Sequence, residues 1–390
     1  MRQTHRPTPT DLPDANLRSL PANQATLVSA KTFAYTSEVE PVASNTVSIV
    51  VATYDRPDDL RICLRALLSQ ETARQVELIV VDNHPASGLT APVVAEFPGV
   101  VLVNEPRQGL AYARNAGFLA SQGAIVVTTD DDVTAPPGWL ERLLAPFAHP
   151  EVMVVTGNTL PLELETRAQH LFEAYGGLGR GAEAKRVGSE WFRSFRFQAV
   201  PTWRLGATAN AAFRATIFSH PEIGLMDEAL GPGMPSGVGE DTYLFYKVLK
   251  AGYTLVYEPN AVVLHKHRRE LSALRRQLYD YSKGHVAYHL TTWLRDGDLR
   301  ALFHVCCLLP PWRIFQLGKL CWRQLRGDNP YSLSLLALEI RGNLAGPLGL
   351  WRSRRRVAHE GRSAAGRSAA SSLETGSQPL RLMSNETSSS

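Results

Sequence analysis

The sequence predicts an α/β fold with a mostly parallel central sheet flanked by helices. Three observations carry this. Apolar, β-branched runs such as VSIVVAT and VELIVVD lack polar alternation, so they read as strands covered on both faces. Amphipathic segments at 58–70 and 108–121 lie between such runs, which gives a βαβ rhythm. Each run also ends in polar chemistry, and ligands of open α/β sheets bind beyond the carboxyl ends of the strands.

The first strand closes on Thr53, Asp55 and Arg56, with Pro57 placed to open a helix. The second closes on Asp82 and Asn83. A later run, Ala124 to Val127, is followed after Thr128 and Thr129 by Asp130, Asp131 and Asp132. Three adjacent carboxylates at a buried strand end repel one another unless a cation or a dense set of donors offsets them. Oxygen-only carboxylate ligands suit Mg²⁺ or Mn²⁺. The competing reading is a solvated turn whose aspartates cap a helix near 137–144.

Farther along, GATAN at 206–210 puts small residues and Asn210 before a short strand at 211–214; a floor for a ligand and a plain turn both fit. The stretch 175–203 mixes glycines with Trp191, Phe192, Phe195 and Phe197, which reads either as a ligand-binding lid or as core. Glu240 and Asp241 follow GPGMPSGVG, a loop with four glycines, and open a helix bearing Leu244, Val248 and Leu249 on one side. The macrodipole favours acids there, and the same geometry presents a carboxylate to a substrate hydroxyl. A last apolar strand, 261–264, ends at His265, with His267 as its competitor.

These residues resemble family 2 glycosyltransferases of the Rossmann-like GT-A fold. The matching pieces are ATYDRP, VVDN, NEPRQGLAYARNAG, TTDDD, GATANAAFR, GVGEDTYLFYKVLKAGY and VLHKHR, in family order over about 47 to 270. No GxGxxG or GxxxxGK[ST] follows the first strand, so a dinucleotide or P-loop cradle is missing. The resemblance implies that Thr53, Asp55 and Arg56 line a nucleoside pocket and that Asp82 faces the base. Arg107 or Arg114 would contact the nucleotide sugar or phosphate, the alternative being two helix-surface arginines. Asp130 would face ribose or donor sugar, Asp131 would join the donor-binding set, and Asp132 and His265 would ligate Mn²⁺ or Mg²⁺ with Asp130. Asn210 would lie beside the donor sugar. Asp241 would be the general base of an inverting transfer from a nucleotide-diphosphate sugar to a glycan or lipid-linked acceptor, with Glu240 in support. The alternative is a catalytically silent, membrane-docked scaffold on the same fold.

Composition supports a globular chain: 390 residues, 44% hydrophobic and 20% charged. The expected division is a disordered arm at 1–45, a catalytic domain at 46–270, a basic helical region at 271–356 and a disordered tail at 357–390. The start lacks an apolar h-region, so no secretory signal is expected and the protein is placed in the cytosol. Cys63, Cys306, Cys307 and Cys321 have no CxxC spacing and read as buried free thiols. From Leu299 to Arg356 there are ten Lys or Arg against two Asp or Glu, in a chain whose net charge is +4. Trp312, Ile314, Phe315 and Trp322 share this segment, while Pro310 and Pro311 break the apolar run short of the ~20 residues of a spanning helix. An interfacial helix at the inner face of the cell membrane fits, drawn to anionic lipid by Arg352 and Arg354 to Arg356. A packed helical subdomain with a solvated basic edge competes with it. No nucleic-acid recognition motif accompanies the charge.

Overall fold

The computed structural model describes residues 46–325 and 333–375. The expected N-terminal arm and the end of the tail, 376–390, lie outside the described residues. The strands are β1 (Thr46–Thr53), β2 (Gln75–Asp82), β3 (Val101–Asn104), β4 (Ile125–Asp130), β5 (Val133–Thr134), β6 (Val152–Pro161), β7 (Lys185–Val187), β8 (Asn210–Arg214) and β9 (Thr254–His265). The helices are α1 (Pro57–Leu68), α2 (Thr90–Ala95), α3 (Leu110–Ala120), α4 (Trp139–Leu144), α5 (Arg167–Tyr175), α6 (Ser189–Ser194), α7 (Glu240–Lys250), α8 (Leu271–Asp296), α9 (Leu299–Phe303), α10 (Leu309–Leu325) and α11 (Leu333–Thr375).

One mixed sheet runs β3-β2-β1-β4-β8-β6-β9-β5, with β7 also paired to β9. The half from β3 to β4 is parallel, and its register sets Thr53 opposite Asp82 and Ala52 opposite Asp130. The polar strand ends therefore share one rim. β8 enters antiparallel between β4 and β6, and β6 and β9 pair in parallel. β5 pairs antiparallel with the end of β9, which sets Val133 opposite His265.

Alternate residues of the buried strands feed two cores. Ile49, Val51 and Val127 meet Leu60, Cys63, Leu64 and Leu67 of α1, and Trp139 of α4. Val50, Ala52 and Val126 meet Ala111 and Phe118 of α3, and Leu244, Phe245 and Val248 of α7. Each fully buried Val, Leu or Phe contributes about 1.5–3 kcal/mol. The i, i+3, i+4, i+7 spacing of the α1 set makes that helix amphipathic, and Pro57 with Asp58 and Asp59 starts it. Gly117 lets α3 lie on the sheet, because a Cβ there would collide with Val50 and stand 3.1 Å from Val81 Cγ2.

The C-terminal helices pack on this domain and on each other. Asn343 Nδ2 of α11 donates to Ser282 O of α8 at 2.7 Å, and Arg313 of α10 donates to Asn343 Oδ1 and Glu339 Oε2 at 2.9 and 2.5 Å. Arg356 donates to Gln108 O at 2.7 Å and to Gly233 O at 3.2 Å. Among the described residues no helix is long and apolar enough to cross a membrane.

Three expectations need correction. Helix α11 continues to Thr375, so 357–375 is helical and the tail begins later than the composition implied. Pro310 and Pro311 do not end the helix; they follow directly on the π-helical turn His304–Leu308, where the ordinary i→i−4 ladder is already interrupted. Only Cys63 is buried, because Cys306, Cys307 and Cys321 fall on exposed faces of the C-terminal helices. The aromatic segment divides: Trp191 and Phe192 pack against the core, while Phe197 is exposed.

Candidate functional site

The acidic triplet sits at the rim and its members face different partners. Thr53 Oγ1 donates to Asp131 Oδ2 at 2.8 Å, and Arg56 Nη1 donates to Asp131 Oδ1 at 2.9 Å and Asp132 Oδ2 at 2.6 Å. Burial pushes the Asp131 carboxyl up to about 6, with Asp132 adding to the effect and Arg56 opposing it. Burial also works against the Arg56 charge, yet Asp131 and Asp132 outweigh it and hold the guanidinium above its ordinary range. Arg56 thus engages the triplet itself.

Asp130 and Asp132, two positions apart, converge with His265 so that one ligand atom from each lies within 4.8 Å of the others. Their meeting is a product of register: β5 follows the triplet immediately, pairs with the end of β9, and Lys266 N donates to Asp132 O at 3.0 Å. His265 Nε2 stands 3.3 Å from Asp132 Oδ1.

A chain of contacts orients the ring of His265. His267 Nε2 stands 2.8 Å from Glu173 Oε1, and His265 Nδ1 lies 3.0 Å from His267 Nδ1, so the outward nitrogen of His265, Nε2, is turned toward Asp132. Burial holds the His265 ring below its ordinary pKa, with Asp132 and Asp130 opposing it. The donor set, two carboxylates and one oriented imidazole, fits a divalent metal, and His267 and Glu173 are the outer partners that fix the ligand ring.

The second acidic focus is tied to the first through the interior. Arg114 is buried in α3, donating to Asp130 Oδ1 at 2.6 Å, Thr208 Oγ1 at 2.6 Å and Glu240 Oε1 at 3.2 Å. It is not a surface arginine. Glu240 Oε2 accepts from Gly239 N at 3.0 Å; burial, reinforced by the charge of Asp241 and opposed by Arg114, pushes the Glu240 carboxyl up to about 7. Asp241 is half-buried at the opening of α7, its Oδ1 accepting from Thr242 N at 2.6 Å and Thr242 Oγ1 at 3.1 Å. Burial raises the Tyr281 hydroxyl to about 12, with Asp241 and Asp130 adding to the effect and Gln277 and Arg180 opposing it.

The remaining expected residues divide. Asp55 has φ 54, the left-handed region rare for a non-glycine, and its Oδ2 stands 2.7 Å from His84 Nδ1. Tyr54 stacks on the His84 ring at 5.0 Å, and Asp82 Oδ1 accepts from His84 N at 2.9 Å. Arg107 is engaged with Glu105 and lies 4.4 Å over the Tyr112 ring. Asn210 requires a correction. Its Nδ2 donates to Asn158 O and Ala261 O at 2.9 and 2.7 Å and its Oδ1 accepts from Trp139 Nε1 at 2.9 Å, so it braces the sheet and has no amide hydrogen left for a sugar. Sequence reasoning missed Glu173, His84 and Arg180. Burial pulls the Arg180 guanidinium down, while Tyr281 and Asp241 hold it up. Only Glu173 had a signal, as an acid closing an amphipathic helix; the other two acquire meaning through distant partners.

Residues 48–218 match the sequence model of glycosyl transferase family 2. The chain is 29% identical over 232 residues to the pre-mycofactocin glycosyltransferase of Mycobacterium tuberculosis, spanning 58% of this chain and 43% of that protein. It is 26% identical over 269 residues to glycosyltransferase AglE of Haloferax volcanii, spanning 66% and 77%. It is 29% identical over 254 residues to the succinoglycan biosynthesis protein ExoM of Rhizobium meliloti, spanning 61% and 74%. The match thus covers less than half the length of the mycobacterial relative. The parallel strand rim, the acidic triplet and the matched segment agree, and residues 48–218 form a family 2 glycosyltransferase domain.

Proposed function

We propose that this protein is a metal-assisted, inverting glycosyltransferase that moves a sugar from a nucleotide-diphosphate sugar to an acceptor hydroxyl of a cell-surface polysaccharide or glycolipid. One observation carries the reading: Asp130, Asp132 and His265 converge at the strand rim, and Arg114 joins that cluster to the helix opening that holds Asp241. Relatives named as glycosyltransferases, and one named for succinoglycan biosynthesis, support the reaction class.

Asp130, Asp132 and His265 would hold Mn²⁺ or Mg²⁺. When bound, such an ion offsets the negative charge that grows on the departing diphosphate. The other steps belong to side chains. Thr53 and Arg56 fix Asp131, while Asp55, Asp82 and Arg107 surround the nucleoside side of the rim. Asp241 takes the proton of the acceptor hydroxyl as that oxygen bonds to the anomeric carbon and the bond to the diphosphate oxygen breaks. One displacement inverts the centre, and no covalent sugar-enzyme species is formed. Glu240, held by Arg114 and Gly239, positions the start of α7 beneath Asp241.

Docking at the inner face of the cell membrane belongs to the same proposal. Ile314, Phe315 and Trp322 of α10 and Leu344 and Trp351 of α11 are exposed, with Lys319, Arg352 and Arg355 beside them. A lipid-linked acceptor would then meet the site without leaving the membrane surface.

A donor-hydrolysis screen across nucleotide sugars with Mn²⁺ or Mg²⁺ tests the reading. Asp241→Asn should lower transfer by on the order of 10²- to 10⁴-fold while leaving donor binding intact. Near-normal turnover of Asp241→Asn sinks the assignment of the base. Failure of every nucleoside diphosphate to bind in a metal-dependent way favours the silent scaffold.

A further inference from the structure

Helix α8 carries His285 and His289 one helical turn apart, on the same face. The third member, His304, opens the π-helical turn His304–Leu308 that follows α9. Nε2 of His285 and Nε2 of His304 are 3.1 Å apart, and one nitrogen from each of the three rings lies within 4.8 Å of the others. The Trp203 ring stands edge-on to His285 and His289 at 5.2 and 5.4 Å.

His289 is the telling residue. It is fully buried, yet neither Nδ1 nor Nε2 has a hydrogen-bond partner. Buried polar groups are ordinarily paired, and a ring with two unpaired nitrogens needs an explanation. A metal ion supplies it. Ligand nitrogens about 2.0–2.1 Å from a tetrahedral ion lie about 3.3 Å from one another, close to the separation found between His285 and His304. Burial pulls all three rings below the ordinary imidazole pKa, and neighbouring histidines add to this at His285 and His289, which favours the form with a lone pair to offer.

We propose that His285, His289 and His304 form a second metal site, specific for a borderline divalent transition ion of which zinc is the representative. Three imidazoles without a carboxylate suit such ions and not the hard Mg²⁺ that carboxylates favour. The ion would clasp α8 to the turn that leads into α10. Its role would be to hold the C-terminal helices in place, a function independent of sugar transfer.

The test counts metal on the full-length protein, stripped with chelator, loaded with zinc chloride and desalted. The Asp132→Asn/His265→Ala double variant, in which the rim cluster is dismantled, should still take up one zinc per chain and melt at a higher temperature with it. His304→Ala and His285→Ala, each at a half-buried ring, should lose that zinc and its thermal shift while keeping the far-ultraviolet circular dichroism of the parent. In the wild-type background each should lower uptake by one ion, so the result stands even where the double variant folds poorly. Unchanged uptake in both histidine variants, or no zinc on the wild-type protein, overturns the proposal.

Discussion

Glu240 is buried beside the charge of Asp241, and its raised carboxyl gives the protein a pH signature. Below its unfolded value near 4.5 the group is protonated in both states, and its contribution to stability is complete. As pH rises toward about 7 the unfolded chain gives up the proton first while the folded chain retains it, so stability falls across that window. A tenfold difference in proton affinity between the two states is worth about 1.4 kcal/mol. Asp131, raised to about 6, acts in the same direction. Thermal melts between about pH 4 and pH 8 should therefore show a shallower decline for Glu240→Gln than for wild type; identical slopes would refute the buried carboxyl. Not all of this was visible beforehand. The triplet was legible because three acids after an apolar run have few explanations, and His265 because it closes a strand. Asn210 was misread and the partners of Arg114 were not foreseen, because those partners, Trp139 and Asn158 for the first and Asp130 and Glu240 for the second, are brought close only by the fold.

Helices were legible wherever one face is apolar, as in α1, and less so where packing dictates the element. Helix α8 shows why. Its Gly284 lies against the glycine loop that precedes Glu240, where a Cβ would collide with the Val238 backbone. No hydrophobic period reports such a contact. Gly284→Ala should cost about 1–3 kcal/mol through overpacking, measured by denaturant unfolding. Gly318→Ala in α10 meets open space and should be neutral or slightly stabilising. If the two variants behave alike, α8 does not approach the loop as described. The π-helical turn and the length of α11 were likewise invisible, since Pro310, Pro311 and a Ser- and Ala-rich tail all argue locally for an ending.

For the molecule as a whole, the parallel half of the sheet could be read from its apolar runs, but the insertion of β8 between β4 and β6 could not. Antiparallel entry is decided by partners far apart in the chain, in pairs such as Val127 and Ala212. The same limit applies to the C-terminal region, where sequence offered lipid contact and packing as rivals. The helices both pack on the domain and leave an apolar, basic outer surface. Sedimentation with vesicles containing anionic lipid should recover the protein, with binding weakened by salt and by Ile314→Ser with Trp322→Ser. Equal recovery with neutral vesicles, or none with either, would reject docking at the membrane.

Arg356 gives the last described helix a bearing on two loops of the sheet domain. Its guanidinium ties the backbone ahead of α3, at Gln108, to the glycine loop ahead of α7, at Gly233. One side chain thus acts as a buckle across the two approaches to the acidic centre. A fragment trimmed before it would keep every proposed reacting group and the direct bond from Leu110 N to Pro232 O, and still lose the outer brace between the two loops.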